Sequence, residues 1–368
     1  MTDSFTSRCC NLNEFIDRKC YMSSWSAPSN IALAKYWGKK GAQFPANPSV
    51  SLTLSDCMTK TMVICAKRNA GSSYRTFYFN GEKNDGFGQK AFNLLDKLCA
   101  DFPSFSDYDF QIFSENTFPH SSGIASSASS MASLSLCLGE LLVITKTVDG
   151  FSDSDFLRHS SYYARIGSGS ASRSIYGGVV TWGALPEVDD SSNDYAVSTD
   201  GINPIFMTMR DSILIVSSEN KSVSSSAGHE LMNQHPYKEV RYNNALKNCQ
   251  SIVQLMRSGD IWSWGEVVEK EALELHGLMM NGVNSFILMK PNTLNIIEKV
   301  RNYRKKMSIP VFFTLDAGPN VHLLYPEINK DDIKKFIVSD LDNFLEDSIW
   351  FDDNVGPGPQ NLLGVQRC

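Results

Sequence analysis

The stretch FPHSSGIASSASSMASLSLCLGELL, residues 118–142, passes from Gly, Ser and Ala residues into an apolar pattern with helical spacing. It predicts a loop of small residues that leads into a long helix. The first turn of a helix presents unpaired N–H groups and the positive end of the helix dipole, so this loop is suited to bind phosphate. The hydroxyls of Ser126 and Ser127 can also donate hydrogen bonds or meet Mg²⁺. A Ser-rich helix start that merely packs closely explains this stretch equally well on its own.

A second loop of small residues, GSGSASRS at residues 167–174, follows a predicted helix. It contributes hydroxyl groups and Arg173, whose planar guanidinium binds a carboxylate or a phosphate through two parallel hydrogen bonds. The alternative is a polar turn that carries a surface arginine. The pattern G-x-x-x-x-G-K-[ST] occurs nowhere in the chain, so the sequence excludes a P-loop enzyme.

Charged residues in two further segments suit the same chemistry. Asp316 lies in TLDAGPN, between an apolar strand and a Gly-Pro turn, where a carboxylate can act as a general base or bind a metal. The commoner role of such an Asp is to cap the turn. Lys35 and Lys39, in KYWGKK, can pair with phosphates or lie in solvent. Three elements suited to anions and one carboxylate together indicate phosphoryl transfer, which depends mostly on positioning and charge neutralisation.

The segments around these motifs alternate between strand-like and helix-like patterns without βαβ regularity. We therefore predict an α+β fold with two domains, divided within a polar stretch between residues 186 and 205. Predicted strands cover residues 49–54, 60–67, 74–79, 108–116 and 176–182, with strand–turn–strand units at 205–217 and 311–325. Predicted helices cover residues 87–101, 151–165 (capped by Ser152), 239–257, 262–282, part of 284–307, and 331–345.

The overall composition is that of a folded globular protein. Of the 368 residues, 42% are hydrophobic and 20% charged, and the formal net charge of −6 argues against a nucleic-acid partner but not against an anionic small molecule. The nine cysteines are scattered without a Cys-x-x-Cys pair, so we expect free thiols in a reducing compartment. The charged N-terminal region lacks a signal-peptide pattern, and the most apolar stretch, residues 134–144, is too short to span a membrane. We expect a soluble, cytoplasmic protein without a membrane partner.

Four segments carry a resemblance to a known family. They are SAPSNIALAKYWGKKG (26–41), FPHSSGIASSASSMAS (118–133), ARIGSGSASRSIYGG (164–178) and FTLDAGPNVHLLY (313–325), with a weaker fifth, VSSSAGHE (223–230). In this order they resemble the GHMP small-molecule kinases and, among these, the mevalonate diphosphate decarboxylases. The pair KYWGK and DAGPN is specific to the decarboxylase branch. The resemblance implies the two-domain GHMP kinase fold, with the active site in the cleft between the domains.

The resemblance also implies a role for individual residues. Asp316 is similar to the catalytic Asp that takes the proton from the substrate's 3-hydroxyl group, with Lys35 close to it. Arg173 is similar to the arginine that holds the substrate, and is implied as the third catalytic residue. The implied substrate-binding residues are Asn30, Tyr36, Lys39, Ser168, Ser170 and Arg173. The implied ATP-binding residues are Gly123, Ala125, Ser126, Ser127 and Ser225, with Ser127 as a ligand of Mg²⁺.

The implied reaction is the ATP-dependent decarboxylation of mevalonate 5-diphosphate to isopentenyl diphosphate. Lys40 and Gly41 stand where the family usually has Arg-Asp, and these positions lie beside the substrate pocket. A phosphomevalonate decarboxylase and a mevalonate 3-kinase therefore stay as alternatives, and a non-catalytic sensor of the same fold is a further one. The presence of both Asp316 and Lys35 favours the decarboxylase.

The resemblance divides the chain into three parts. We predict an N-terminal extension over residues 1–20, a GHMP N-terminal domain with the ATP phosphate loop over 21–195, and a GHMP C-terminal domain with the catalytic Asp turn over 196–368. Members of the family are often dimers, so we also expect a homodimer.

Overall fold

Two β-sheets form the framework of the chain, which a computed structural model describes at residues 4–15, 17–41, 43–69, 73–118, 124–219, 225–363 and 366–367. Among these residues the larger sheet has nine strands and the smaller sheet four, and two short strands form a separate pair. The strands are β1 (Cys20–Ala34), β2 (Lys39–Lys40), β3 (Phe44–Pro45), β4 (Ser49–Lys67), β5 (Arg75–Phe79), β6 (Glu82–Lys83), β7 (Tyr108–Asn116), β8 (Val179–Trp182), β9 (Ala196–Ser198), β10 (Met209–Leu214), β11 (Phe312–Thr314), β12 (Val321–Pro326), β13 (Trp350–Asn354), β14 (Gln360–Asn361) and β15 (Gln366–Arg367).

Helices cover the sheets and supply most of the remaining core. They are α1 (Ser4–Asn11), α2 (Gln89–Asp101), α3 (Ser126–Ile144), α4 (Asp153–Gly167), α5 (Pro204–Met207), α6 (Ser225–Leu231), α7 (Lys238–Ser258), α8 (Ile261–Asn281), α9 (Pro291–Met307) and α10 (Lys330–Phe336). The predicted cap of α4 is present, because the side chain of Ser152 accepts a hydrogen bond from the backbone N–H of Asp155. The mixed helix and sheet content agrees with the predicted α+β class.

The larger sheet is built around β4, which is 19 residues long. Its strand order is β14–β1–β4–β7–β5–β6, with β8 and β9 continuing from β4 and β15 pairing with β1. The separate strands predicted at 49–54 and 60–67 are therefore one strand. The register of β1 on β4 shifts between Pro28 and Asn30 and again between Ala32 and Ala34. Such shifts bend a strand, so β1 is irregular just before the KYWGK segment begins at Lys35.

The smaller sheet has the order β11–β12–β10–β13 and is antiparallel throughout. The predicted strand–turn–strand unit at 311–325 is present as β11 and β12. The unit predicted at 205–217 is different, because its first part is the short helix α5. Asn203 caps this helix by accepting from the N–H of Ile205, and Pro204 occupies its first turn. The helix predicted at 331–345 is α-helical only to Phe336 and continues as a π-helical turn to Leu341.

Helices α7 and α8 pack against both sheets. Val253 of α7 and Val268 of α8 belong to one buried cluster with Leu52 of β4, Ile213 of β10 and Leu324 of β12. The two sheets therefore share a hydrophobic core through these helices. This shared core fixes the end of β1 relative to the turn between β11 and β12, where the two charged segments of the sequence lie.

Helix α3 is buried for most of its length between the larger sheet and α4, and its buried serines are interspersed with apolar residues. With 19 residues, α3 is long and apolar enough to cross a bilayer. The prediction from the sequence rests only on its most apolar part, residues 134–144, which is too short to do so. However, 72% of its most apolar 18-residue stretch is buried inside the fold, as in the core helix of a globular protein.

The segment predicted as an N-terminal extension packs on the larger sheet. Phe5 of α1 and Phe15 are each 3% exposed and lie in a cluster with residues of β1, β4 and β7. The carboxylate of Glu14 accepts hydrogen bonds from the hydroxyls of Tyr74 and Tyr78, at 2.5 and 2.6 Å. These contacts make the segment part of the fold.

The chain returns to the larger sheet after β13. Trp25 of β1 pairs with Asn361 of β14, so the last residues form an edge of the sheet that begins at residue 20. The crossing is tight, because a Cβ atom on Gly177 would lie 2.2 Å from the carbonyl oxygen of Pro357. The domain limits at residues 20 and 195 stay a prediction, and the pairing of β14 links the end of the predicted second domain to the first sheet.

Helix α4 carries a half-buried histidine, His159, whose ring lies among aromatic side chains. The ring of His159 lies 4.7 Å from those of Phe151 and Tyr163 and 5.9 Å from that of Phe102. Both of its ring nitrogens are buried, and neither has a hydrogen-bond partner among the described residues. Burial lowers the pKa of His159 to about 4, against the opposing effect of Asp101.

We predict that His159→Leu makes the stability of the protein less dependent on pH. Below about pH 6.5 the unfolded chain binds a proton at His159, whereas the folded chain does not bind it until about pH 4. As the pH is lowered from about 6.5 to about 4, the free energy of unfolding of the wild type should therefore decrease by up to ~1.4 kcal/mol per pH unit. Urea denaturation of both proteins at several pH values between these limits measures the slopes. Equal slopes in variant and wild type would contradict the prediction.

Candidate active site

Two charged residues from different sheets meet at the centre of the site. The ammonium group of Lys35, just after β1, donates a hydrogen bond to the carboxylate of Asp316, with 3.0 Å between Nζ and Oδ1. The lysine side chain is 2% exposed and the Asp316 side chain is 28% exposed. The carboxylate is thus open to a ligand, while the cation beside it is not. The proximity of these residues, implied by the family resemblance, is present in the structure.

The turn that carries Asp316 is held from three directions. Nε2 of His276 lies 3.1 Å from the carbonyl oxygen of Asp316. The side chain of Asn320 accepts hydrogen bonds from two backbone N–H groups that follow β10, at 2.8 and 3.0 Å. The hydroxyl of Thr293 donates to the carbonyl of Pro319 at 2.7 Å. The backbone at Asp316 is therefore fixed while its side chain points to Lys35.

Arg173 is buried within the same region. Its Nε and Nη2 donate to Oδ1 of Asn30 at 3.3 and 3.2 Å, and its Nη1 donates to the hydroxyl of Ser49 at 2.6 Å. Burial lowers the pKa of Arg173 to about 10, while the nearby charge of Asp316 opposes that shift. The side chain therefore remains a cation at neutral pH. Its exposure of 2% excludes the alternative of a surface arginine in a polar turn.

Asn30 of β1 ties the second small-residue loop to the sheet. Its Nδ2 donates to the hydroxyl of Ser174 at 2.8 Å and to the carbonyl of Ser170 at 3.2 Å. The hydroxyl of Ser168, at the start of this loop, lies 3.3 Å from the hydroxyl of Ser127, at the start of α3. The two small-residue loops recognised in the sequence therefore meet at one place.

The start of α3 has the geometry of an anion site. Ala125 precedes the helix in a left-handed conformation, with φ 38° and ψ 42°. Ser126 is half-buried and Ser127 is exposed. The first N–H groups of a helix have no partner within it, so they and the serine hydroxyls can bind phosphate oxygens. Gly123, predicted in the same loop, lies outside the described residues.

Tyr36, within the KYWGK segment, forms an aromatic wall beside the second small-residue loop. Its ring lies 4.7 Å from that of Trp182 and 4.4 Å from that of His229. The hydroxyl of Tyr36 is buried and has no hydrogen-bond partner among the described residues. A Cβ atom on Gly169 would come within 2.9 Å of this hydroxyl, so the loop needs glycine there. An unsatisfied buried phenol indicates a place for a polar ligand group.

The remaining predicted residues lie around this wall. Lys39 of β2 is half-buried, and burial lowers its pKa, with Lys90 adding to the effect and Glu230 opposing it. Ser225 is the first residue of α6, and its side chain lies outside the described part. Helix α6 reaches the site through His229, whose Nδ1 accepts from the backbone N–H of Gly38 at 3.0 Å.

Sequence reasoning missed several residues that hold the site. Ser49, the first residue of a predicted strand and not predicted as a site residue, accepts a hydrogen bond from Arg173. Glu271 and His276 both lie on the apolar stripe of α8 together with Val268 and Leu275, and all of these are buried. A charged residue on such a stripe was the signal that could have identified them, since an unpaired carboxylate is rarely buried.

Comparison with known proteins assigns a family to this arrangement. Residues 27–193 match the model of the diphosphomevalonate decarboxylase-like N-terminal domain, and residues 212–352 match that of the mevalonate 5-diphosphate decarboxylase C-terminal domain. A diphosphomevalonate decarboxylase of Gibberella zeae is 31% identical over 332 residues, which cover 86% of this chain and 84% of the relative. The chain belongs to the diphosphomevalonate decarboxylase family. A family member from Saccharomyces cerevisiae is 28% identical and covers 86% of the chain and 81% of the relative.

Solved structures of diphosphomevalonate decarboxylases have the same fold. The Staphylococcus aureus enzyme is 29% identical, with a TM-score of 0.80, and the match covers 93% of this chain and 98% of that one. A structure described as MDDEF in complex with MVAPP, AMPPCP and magnesium also has a TM-score of 0.80, at 28% identity, over 93% of this chain and 99% of that one. The predicted GHMP kinase fold is thus confirmed by members of the decarboxylase branch.

We predict that Arg173→Lys lowers the free energy of unfolding by about 1–3 kcal/mol, because one ammonium cannot replace the guanidinium and leaves buried acceptors unsatisfied. Urea denaturation measures the loss. Arg158→Lys is the matched control, since Arg158 forms an exposed pair with Asp190 at 2.7 Å; this variant should stay within about 0.5 kcal/mol of wild type. Equal losses in the two variants would show that burial of Arg173 does not matter for stability.

Proposed function

We propose that the chain catalyses the ATP-dependent decarboxylation of mevalonate 5-diphosphate to isopentenyl diphosphate, in the mevalonate pathway of isoprenoid biosynthesis. The observation that carries this proposal is the contact between Lys35 and Asp316, at 3.0 Å, in a member of the diphosphomevalonate decarboxylase family. Around this contact lie a buried Arg173 and a helix start that suits phosphate.

Asp316 is the general base in the proposed mechanism. It accepts the proton of the substrate's 3-hydroxyl group as that oxygen attacks the terminal phosphorus of ATP. The bond from this phosphorus to the ADP oxygen breaks, and the phosphoryl group is transferred to the substrate. Lys35 orients the carboxylate through its hydrogen bond and remains shielded from solvent.

The second stage uses the negative charge of Asp316. The tertiary C–O bond breaks, inorganic phosphate leaves with the bonding electrons, and positive charge develops on the carbon. The bond to the substrate's carboxylate then breaks, CO₂ leaves, and its electron pair forms the double bond. Once Asp316 has released its proton to solvent, the carboxylate again carries the charge that stabilises the cationic carbon.

The substrate is held by residues on the wall of the site. Arg173 supplies a buried cation, positioned by Asn30, for the anionic groups of the substrate. The unsatisfied hydroxyl of Tyr36 supplies a donor that no described residue uses. Lys39, Ser168 and Ser170 complete the proposed set for the diphosphate, as cationic and hydroxyl groups on the adjoining segments.

The nucleotide phosphates would lie against the start of α3, at Ala125, Ser126 and Ser127. Gly123 and Ser225 are included in the proposed nucleotide-binding set on the family resemblance alone. The exposed hydroxyl of Ser127 fits Mg²⁺ as a single protein ligand. No group of three acidic, His or Cys ligands occurs among the described residues. Mg²⁺ retains water and phosphate ligands, so one hydroxyl suits it. When bound, Mg²⁺ neutralises charge on the phosphates.

A coupled assay tests the proposed reaction. ADP and CO₂ release are followed together with Mg·ATP and, separately, mevalonate, its 5-phosphate and its 5-diphosphate. Release of both products with the diphosphate supports the proposal. ADP without CO₂ would indicate a 3-kinase, and activity only with the monophosphate would indicate a phosphomevalonate decarboxylase. No activity with any of the three would favour the non-catalytic sensor.

We predict that Asp316→Asn lowers turnover by at least ~10³-fold, because the variant loses both the base and the charge that stabilises the carbon. Binding of ATP should stay near that of wild type, since the phosphate cradle is on α3. Steady-state kinetics and isothermal titration with ATP measure the two effects. Asp190→Asn, at the exposed pair with Arg158, is the control and should retain wild-type turnover. Near-normal turnover of Asp316→Asn would remove this residue from the mechanism.

The assembly and location of the protein follow from the family expectation alone. We propose a cytoplasmic homodimer. Sedimentation equilibrium over a range of concentrations distinguishes it from a monomer of 41.0 kDa.

A further inference from the structure

A fully buried ion pair forms hydrogen bonds with the backbone of Lys35. Arg241 of α7 and Glu271 of α8 are bonded through Nη1 to Oε1 at 2.8 Å and Nη2 to Oε2 at 2.9 Å, and both side chains are 0% exposed. Oε2 of Glu271 also accepts from the backbone N–H of Lys35 at 3.0 Å, and Nη2 of Arg241 donates to the carbonyl of Lys35 at 3.0 Å. Strand β1 ends at Ala34. At Lys35 the ion pair therefore supplies the backbone hydrogen bonds that a neighbouring strand would otherwise make.

Stability alone does not explain this pair. Burying two charges costs more than their mutual attraction returns unless every remaining lone pair and proton is bonded, and apolar residues of similar volume often serve a core equally well. Here Asn248 supplies a further hydrogen bond to Oε1 of Glu271, at 2.6 Å. Both members of the pair also bond the backbone of one residue, which indicates that the pair secures the position of Lys35.

The same helix also holds the partner of Lys35. His276 lies five residues after Glu271 on α8, or about 7.5 Å along the helix axis. Its Nε2 is 3.1 Å from the carbonyl oxygen of Asp316. A carbonyl only accepts hydrogen bonds, so Nε2 carries the proton. His276 is 1% exposed, so this contact is shielded from water.

Helix α8 therefore contacts the backbone of both residues of the central contact, which is the hydrogen bond between Lys35 and Asp316. Lys35 and Asp316 come from different sheets, and neither sheet alone determines the distance between them. Helix α8 contacts both backbones and so links their positions directly. We infer that α8 sets the spacing between Lys35 and Asp316, with Glu271 and His276 as positioning residues. The catalytic consequence rests on the function proposed above, whereas the geometric one does not.

The test compares two buried histidines that each bond a backbone carbonyl. His276→Leu removes the contact to Asp316. His235→Leu is the matched control, because His235 is 2% exposed and its Nε2 lies 3.0 Å from the carbonyl oxygen of Leu278; this variant also removes a buried bond to α8, but one to Leu278 rather than to Asp316. Both variants should lose thermal stability. Only His276→Leu should lose turnover, by at least tenfold, with the KM values for both substrates within about twofold of wild type.

A crystal structure of His276→Leu provides a readout that does not depend on activity. We expect the separation of Lys35 Nζ and Asp316 Oδ1 to increase beyond hydrogen-bond range. Retention of the contact near 3.0 Å would overturn the inference, even if turnover had fallen. If wild-type protein lacks the proposed activity but the contact breaks in the variant, the proposed function fails and the role of α8 stands.

A conservative variant covers the case in which His276→Leu does not fold. His276→Gln keeps an N–H donor at a similar distance from the backbone. It should retain the central contact and turnover within about threefold of wild type. Loss of turnover by tenfold in this variant, with the contact intact, would overturn the inference, because the donor to Asp316 would then not be what matters.

Discussion

One ammonium–carboxylate contact between the two sheets is the constraint around which the site is organised. The ammonium group of Lys35 is almost fully buried, and a buried cation without a partner is very unfavourable. Asp316 provides the partner, and the helices between the sheets hold both backbones in place. The position of one sheet relative to the other is therefore linked to the chemistry of a single pair of side chains.

The electrostatic balance of the site differs from that of the whole chain. The formal net charge is −6, yet Lys35, Arg173 and Arg241 place three buried cations close to the carboxylates of Asp316 and Glu271. This excess of positive charge lies next to the helix start of α3, whose N–H groups add to it. A local positive field within an acidic protein favours the binding of polyanionic ligands at that place. Small residues at the loops then allow such ligands to approach the backbone.

Features of the fold that depend on residues close together in the sequence could be predicted from the sequence. The Ser152 cap, the apolar pattern of α3 and the two small-residue loops each depend on neighbouring residues. Distant contacts escaped prediction. The polar run near residue 55 reads as the end of a strand, but β4 continues through it because the carboxylate of Asp353 accepts hydrogen bonds from the N–H groups of Ser55, Asp56 and Cys57. No local pattern indicates a partner almost 300 positions away.

In the site as well, residues in local motifs could be predicted, whereas residues that act through distant contacts could not. The family motifs identified Lys35, Asp316 and Arg173, and the structure brings these together with Asn30 and the serines of the two loops. The groups that hold them in place, such as Glu271 and Ser49, were not predicted, because a buried charge or hydroxyl acquires its role only from a contact made elsewhere in the chain.

The return of the chain to the first sheet has a consequence for biosynthesis. Strand β14 borders β1, so an edge of the sheet that starts at residue 20 is completed by residues 360–361. A nascent chain on the ribosome therefore carries an open edge at β1 until residues 360–361 have been synthesised. Pairing over such a sequence separation closes slowly, and an unpaired edge can associate with other chains in the meantime. Closure of this edge is therefore a late step in folding, and the edge needs protection from other chains until β14 has paired with β1.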